Sequence, residues 1–116
     1  MRPGARAPEE LDALLEDAFV VRDRRAVAAL FESQALLVHG AAGEARGARE
    51  IASWANETWK LGRTYVAAEP RVLQAGDTAL VLTAEGLGVA RRHDDRAWRY
   101  AIALLSFNQT TAKEEQ

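Results

Sequence analysis

Cysteine is missing from all 116 residues, and that absence removes disulfide staples, a thiol nucleophile and every thiolate metal site. Histidine is scarce as well, and two copies cannot make a three-histidine zinc site. No apolar run approaches the roughly 20 residues that span a bilayer. The net charge of -2, with 28% charged residues of both signs, leaves no basic footprint for nucleic acid and no polybasic patch for a membrane surface. Glycine-rich phosphate loops, supported Ser/His/Asp arrangements and metal-ligand spacings are lacking too. These absences exclude nucleic acid and membrane as partners, and they predict no metal or organic cofactor. The missing cysteines suit a reducing compartment, so a cytoplasmic location is expected.

What is present is a chain long enough to bury a core without staples. It reads as one domain over 1–116, with an ordered core of about 8–108. The opening residues MRPGARAPEE carry two arginines but run into acidic residues, not into the apolar segment of a signal peptide. Pro8, Glu9 and Glu10 have the chemistry of a helix start. Leu11, Leu14, Leu15, Ala18 and Phe19 then fall at steps of three and four, which places them on one helical face, with Glu10, Asp12, Glu16 and Asp17 on the other. Asp23 is placed to cap a second, short helix through Val27, Leu30 and Phe31.

The run Ala35 to His39 is too short for a helix and reads as a strand with Leu37 and His39 on one face, followed by a glycine turn and a brief return strand at Glu44 to Arg46. A third helix, Ala48 to Lys60, sets Ile51, Trp54, Ala55, Thr58 and Trp59 on one stripe, and Gly62 is placed to stop it. From there the period becomes strand-like and predicts three long antiparallel strands: Thr64 to Leu73, Thr78 to Arg92 and Ala97 to Phe107. Gly86 and Gly88 would allow a bulge, a bend or a close approach in the middle strand. The tail from Gln109 is polar and aperiodic and reads as disordered.

This order of elements resembles the nuclear-transport-factor-like, or cystatin-like, superfamily over Leu11 to Phe107. The pattern Arg-Asp-x-x-Ala-Val-x-x-Leu-Phe at Arg22 to Phe31, then ALLVHG, Gly47-Ala-Arg-Glu-Ile51 and Trp98-Arg-Tyr, is similar to its SnoaL-like and ketosteroid-isomerase-like proteins. The resemblance implies an α+β fold: a cone-shaped barrel of a curved, mainly antiparallel sheet with three N-terminal helices packed on its concave face. It also implies an apolar pocket and a homodimer formed through the outer sheet face. The activities it brings into view are isomerase, cyclase and dehydratase chemistry, beside members that only bind or associate.

Ketosteroid isomerases carry their base eight residues after the Phe of the Leu-Phe pair, which here is His39; the tyrosine and the protonated carboxyl of their oxyanion hole fall near Leu15 and Ala103. Leu15 and Ala103 cannot donate a side-chain hydrogen bond, so that isomerisation is not expected. His39 is the first catalytic candidate, as a proton shuttle with an ordinary pKa near neutrality, against the alternative of a structural histidine at a strand end. Glu69 and Glu85 are candidates for orienting it from the meander, or else strand-surface charges. Trp54, Trp59, Tyr65, Leu37, Leu15, Phe19 and Ala103 are the candidate pocket wall for a small apolar or aromatic ligand, and core packing explains the tryptophans equally well. Arg71 reads as a surface charge and His93 as part of a solvated hairpin turn. Trp98 and Tyr100 share a predicted face with Ile102 and Leu104, and that row is the predicted dimer contact, with packing within the monomer as the alternative. The functional expectation is a small-molecule-binding protein, either catalytic through His39 or a non-catalytic binding or dimerisation domain.

Overall fold

A first-turn proline followed by carboxylates starts a helix, and in the computed structural model, which describes residues 4–40, 43–63, 65–67, 69–84 and 86–105, a 3-10 turn at Pro8–Glu10 runs into α1 (Leu11–Val21). α1 stops where Arg22 takes a left-handed conformation, with φ 56°. The Asp23 amide then donates back to the Ala18 carbonyl at 3.0 Å. Asp23 caps α2 (Arg24–Ala29), its Oδ1 accepting the Ala26 amide at 3.1 Å. The second, short helix expected after Asp23 is therefore present.

β1 (Phe31–His39) begins earlier than expected, and Phe31 belongs to it, not to the second helix. The polar FESQ segment hid this start, because the strand's register against its neighbour is irregular between Phe31 and Leu36, so no alternation is visible there. β2 (Gly43–Arg46) returns antiparallel, and α3 (Gly47–Lys60) follows with Ile51, Ala55, Thr58 and Trp59 buried. β3 (Arg71–Ala75), β4 (Thr78–Thr83), β5 (Gly86–Arg92) and β6 (Trp98–Leu105) complete a six-stranded sheet in the order β2-β1-β6-β5-β4-β3. Among the described residues only the β1–β6 pair is parallel.

The meander departs from the three long strands that periodicity predicts. The first begins at Arg71 instead of Thr64, which leaves Tyr65 and Glu69 off the sheet, and Arg71 itself is exposed. The single strand expected over Thr78 to Arg92 is two strands, because the chain reverses between Thr83 and Gly86, which pair with each other. The glycines serve a close approach of β5 to β6: a Cβ at Gly86 would run into the Leu104 carbonyl, and one at Gly88 would lie 2.5 Å from Cε1 of Tyr100. Phe107 and the tail from Gln109 lie outside the described residues.

The helices pack on one face of the curled sheet, where Leu11, Leu15, Phe19, Ile51 and Trp59 meet Leu37, Val81, Trp98 and Ala103 in one core. β6 does not keep the face predicted for it. Val89 pairs with Ile102 while Ala90 pairs with Tyr100, so Ala101 is an extra residue and the alternation flips across it. Trp98 and Tyr100 consequently point into the core, whereas Ile102 and Leu104 stay 40% and 41% exposed on the opposite, convex face. The predicted four-residue contact row is thus divided between two faces.

Candidate functional site

Asp12 is 3% exposed, although the helical pattern assigned it to solvent. The reason lies in spacing: Asp12, Leu15 and Phe19 follow at three and four residues, so the carboxylate shares the stripe that α1 turns to the core. A buried carboxylate is costly unless hydrogen-bonded, and here the Tyr65 hydroxyl donates to Asp12 Oδ1. Gly62, with φ 76°, follows the end of α3, and Tyr65 stands three residues further on. Tyr100 completes the group. Burial pushes its phenol well above the usual range, and the Asp12 charge pushes the same way. Asp12, Tyr65 and Tyr100, with Val81, Gly88 and Ala103, line a cavity of about 10 Å³, the space of a single water.

Beside this polar end the interior is filled with rings. Phe19 meets Trp54 at 5.6 Å, Trp59 edge-on at 5.3 Å and Tyr65 at 6.2 Å between centroids. Leu15 and Leu37 are fully buried around them. The Trp59 indole N–H is buried with no acceptor among the described residues, an expensive arrangement for a core that only has to pack. Of this cluster Trp54 alone is partly exposed.

His39 stands elsewhere. Its ring stacks on Trp54 at 5.3 Å and 29° and lies against Gly43, where a Cβ would overlap it. Burial lowers its pKa and favours the neutral ring. No hydrogen-bond partner reaches it among the described residues, and it does not line the Asp12 cavity. Glu69 is exposed in the segment before β3, not on a strand as predicted, and Glu85 lies outside the described residues. The structure therefore joins Tyr65 and Ala103 to a carboxylate that sequence reasoning missed, and joins His39 to Trp54. Asp12 could have been found from its step of three to Leu15; its partner could not, because Tyr65 is 53 residues away.

His93 is more than a solvated turn. Its Nε2 lies 2.9 Å from Glu32 Oε2, and Glu32 also accepts from Arg91 at 2.7 and 2.8 Å. The Arg91 hydrogen bond leads in holding the Glu32 carboxyl below its usual range, against an opposing push from burial. Among the described residues no group of histidine and carboxylate side chains is arranged to hold a metal ion, and no helix is long and apolar enough to cross a membrane.

No protein-family model and no curated protein matches the sequence. Solved structures do. A protein of unknown function with a cystatin-like fold from Nostoc punctiforme is 17% identical, with 85% of this chain and 86% of that one covered at a TM-score of 0.72. A nuclear-transport-factor-like protein with a cystatin-like fold from Novosphingobium aromaticivorans is 17% identical over 90% of this chain and 81% of that one, TM-score 0.71. A ketosteroid isomerase-like protein from Erwinia carotovora atroseptica is 21% identical over 88% and 98%, TM-score 0.63.

Proposed function

From a cystatin-like α+β fold with a carboxylate buried in its interior, we propose that this chain binds a small, mainly apolar molecule between α1, α3 and the sheet and moves a proton on it. The reaction class is isomerase, cyclase or dehydratase chemistry. Asp12 is the acid–base group, Tyr65 orients it, and Tyr100 stays protonated to donate to an oxygen of the ligand. One observation carries the reading: Asp12 sits 3% exposed among rings, hydrogen-bonded by a phenol, at the one polar end of an aromatic interior. Ligand entry displaces Trp54, the partly exposed ring. His39, stacked on that ring, belongs to the entrance in this reading, and the exposed apolar residues of the convex face join two copies into a dimer.

The filling of the interior by Phe19, Trp54 and Trp59 favours a second reading, a binding or dimerisation domain without catalysis. 2-Naphthol, a flat phenol, tests whether Asp12 holds a ligand in the interior. Under the first reading it raises the melting temperature and quenches tryptophan fluorescence in the wild-type chain, and Asp12→Leu abolishes both responses while retaining the fold by circular dichroism. An unresponsive wild-type chain, or an equally responsive Asp12→Leu, supports the second.

A further inference from the structure

A second concavity opens on the opposite side of α1, between the N-terminal segment, α2 and the hairpin that joins β5 to β6. It encloses about 830 Å³, within the range of ordinary small-ligand sites. None of its lining residues lines the Asp12 cavity. Its apolar part is made by Leu14, Ala26, Leu30 and Ala97.

The polar part is unbalanced in charge. Four arginines, Arg6, Arg25, Arg96 and Arg99, face two aspartates, Asp23 and Asp95, in a chain whose net charge is -2. Both aspartates are already engaged. Asp95 takes both ends of the Arg99 guanidinium, at 3.2 and 2.7 Å, and also accepts the Ala97 amide at 3.0 Å. Asp23 caps α2 through the Ala26 amide. Arg6, Arg25 and Arg96 are left without a side-chain hydrogen bond or ion pair among the described residues. Arg96 sits on the hairpin in a left-handed conformation, φ 69°, its amide donating a hydrogen bond to the His93 carbonyl at 2.8 Å.

We propose that this groove binds a small amphiphilic carboxylate, with Arg6, Arg25 and Arg96 taking the anionic head and the leucines and alanines taking a short apolar body. Arginine forks suit a planar carboxylate, two donors to two oxygens. The apolar walls give such an anion more than a free inorganic ion would gain. The site stands apart from the interior, so it holds whether or not Asp12 is catalytic.

Octanoate is the probe, titrated into the ¹⁵N-labelled chain at low salt and followed by amide shifts. Octanol and octylammonium serve as chain-matched neutral and cationic controls. Saturable shifts at Leu30, Ala97 and Arg99 are expected with octanoate, and roughly tenfold or weaker binding with either control. The exposed pair Arg25→Glu and Arg96→Glu together weaken octanoate roughly tenfold or more, while Ile102→Lys on the far face does not. Equal affinity for octanol, an unaffected Arg25→Glu/Arg96→Glu chain, shifts confined to Ile102 and Leu104, or no saturable shift overturns the proposal. A fall in molar mass on Arg25→Glu/Arg96→Glu, seen by light scattering, makes the groove an interface between copies and overturns it as well.

Discussion

The interior of this protein holds a carboxylate and two phenols where apolar side chains are the rule, and its convex sheet face holds leucine, isoleucine and valine where polar ones are the rule. The two regions bear opposite costs. Inside, each polar group needs a partner: Tyr65 supplies one to Asp12, whereas the Trp59 indole has none among the described residues. Outside, Leu36 and Val38 adjoin Ile102 and Leu104 across β1 and β6, which in turn adjoin Val89 and Leu87 on β5, so the apolar row is continuous across strands. Neither arrangement is what folding alone would favour. A region that sacrifices stability and a region that sacrifices solubility are both places to look for contact with another molecule.

The sharpest way to break the contrast is to remove the packing that makes the interior an interior. Phe19 touches Trp54, Trp59 and Tyr65, so Phe19→Ala should lower the unfolding free energy by about 3–5 kcal/mol in urea denaturation. A loss below about 1 kcal/mol would mean that the rings are loosely packed and that the polar end is not in a true core.

A smaller effect is expected where polar partnering is conventional. Glu32, its side chain 13% exposed, is held by Arg91 and His93. Its folded pKa is depressed below the ordinary 4.5, so its contribution is fully present above that value and disappears as pH falls through the lower folded value. Glu32→Gln should cost about 1 kcal/mol at neutral pH, given that Arg91 is half exposed. The two stability curves should converge as pH falls below 4.5 and on through the lower folded value; curves that stay parallel throughout would show that the Glu32 charge is not the source.

The smallest effect on the fold, and the most informative about the outside, belongs to Ile102→Lys with Leu104→Lys. Both side chains stand on the convex face, so the monomer's stability should change by no more than about 0.5 kcal/mol. Light scattering should show the wild-type chain at twice the monomer mass and the double variant at the monomer mass. A monomeric wild-type chain would remove the dimer reading and leave the convex row for another partner.

Much of the architecture was legible in the residue pattern, and the failures are specific. The cap at Asp23, the stripe of α3 and the glycine at its end follow from local chemistry. The hairpin between β4 and β5 did not show, because Gly86 and Gly88 are explained only by β6 packing against them. His39 could be placed at the end of its strand but not given its neighbour, since Trp54 comes from another element. Glu69 reads as a strand residue because the pattern from Tyr65 onward predicts a strand, whereas β3 starts only at Arg71.

By itself the sequence determined the three helices, the cap at Asp23, the glycine that follows α3 and the α+β class, because those depend on propensity and periodicity within a few residues. Tertiary structure decided the rest. Ala101 became a bulge only when β5 and β6 were aligned, and that single extra residue chose which side of the sheet Trp98, Tyr100, Ile102 and Leu104 would face. Asp12 became a buried group only when Tyr65, 53 residues further on, was folded back to donate to it; a residue's face is written in its near neighbours, but its partner is set by contacts between segments far apart in the chain.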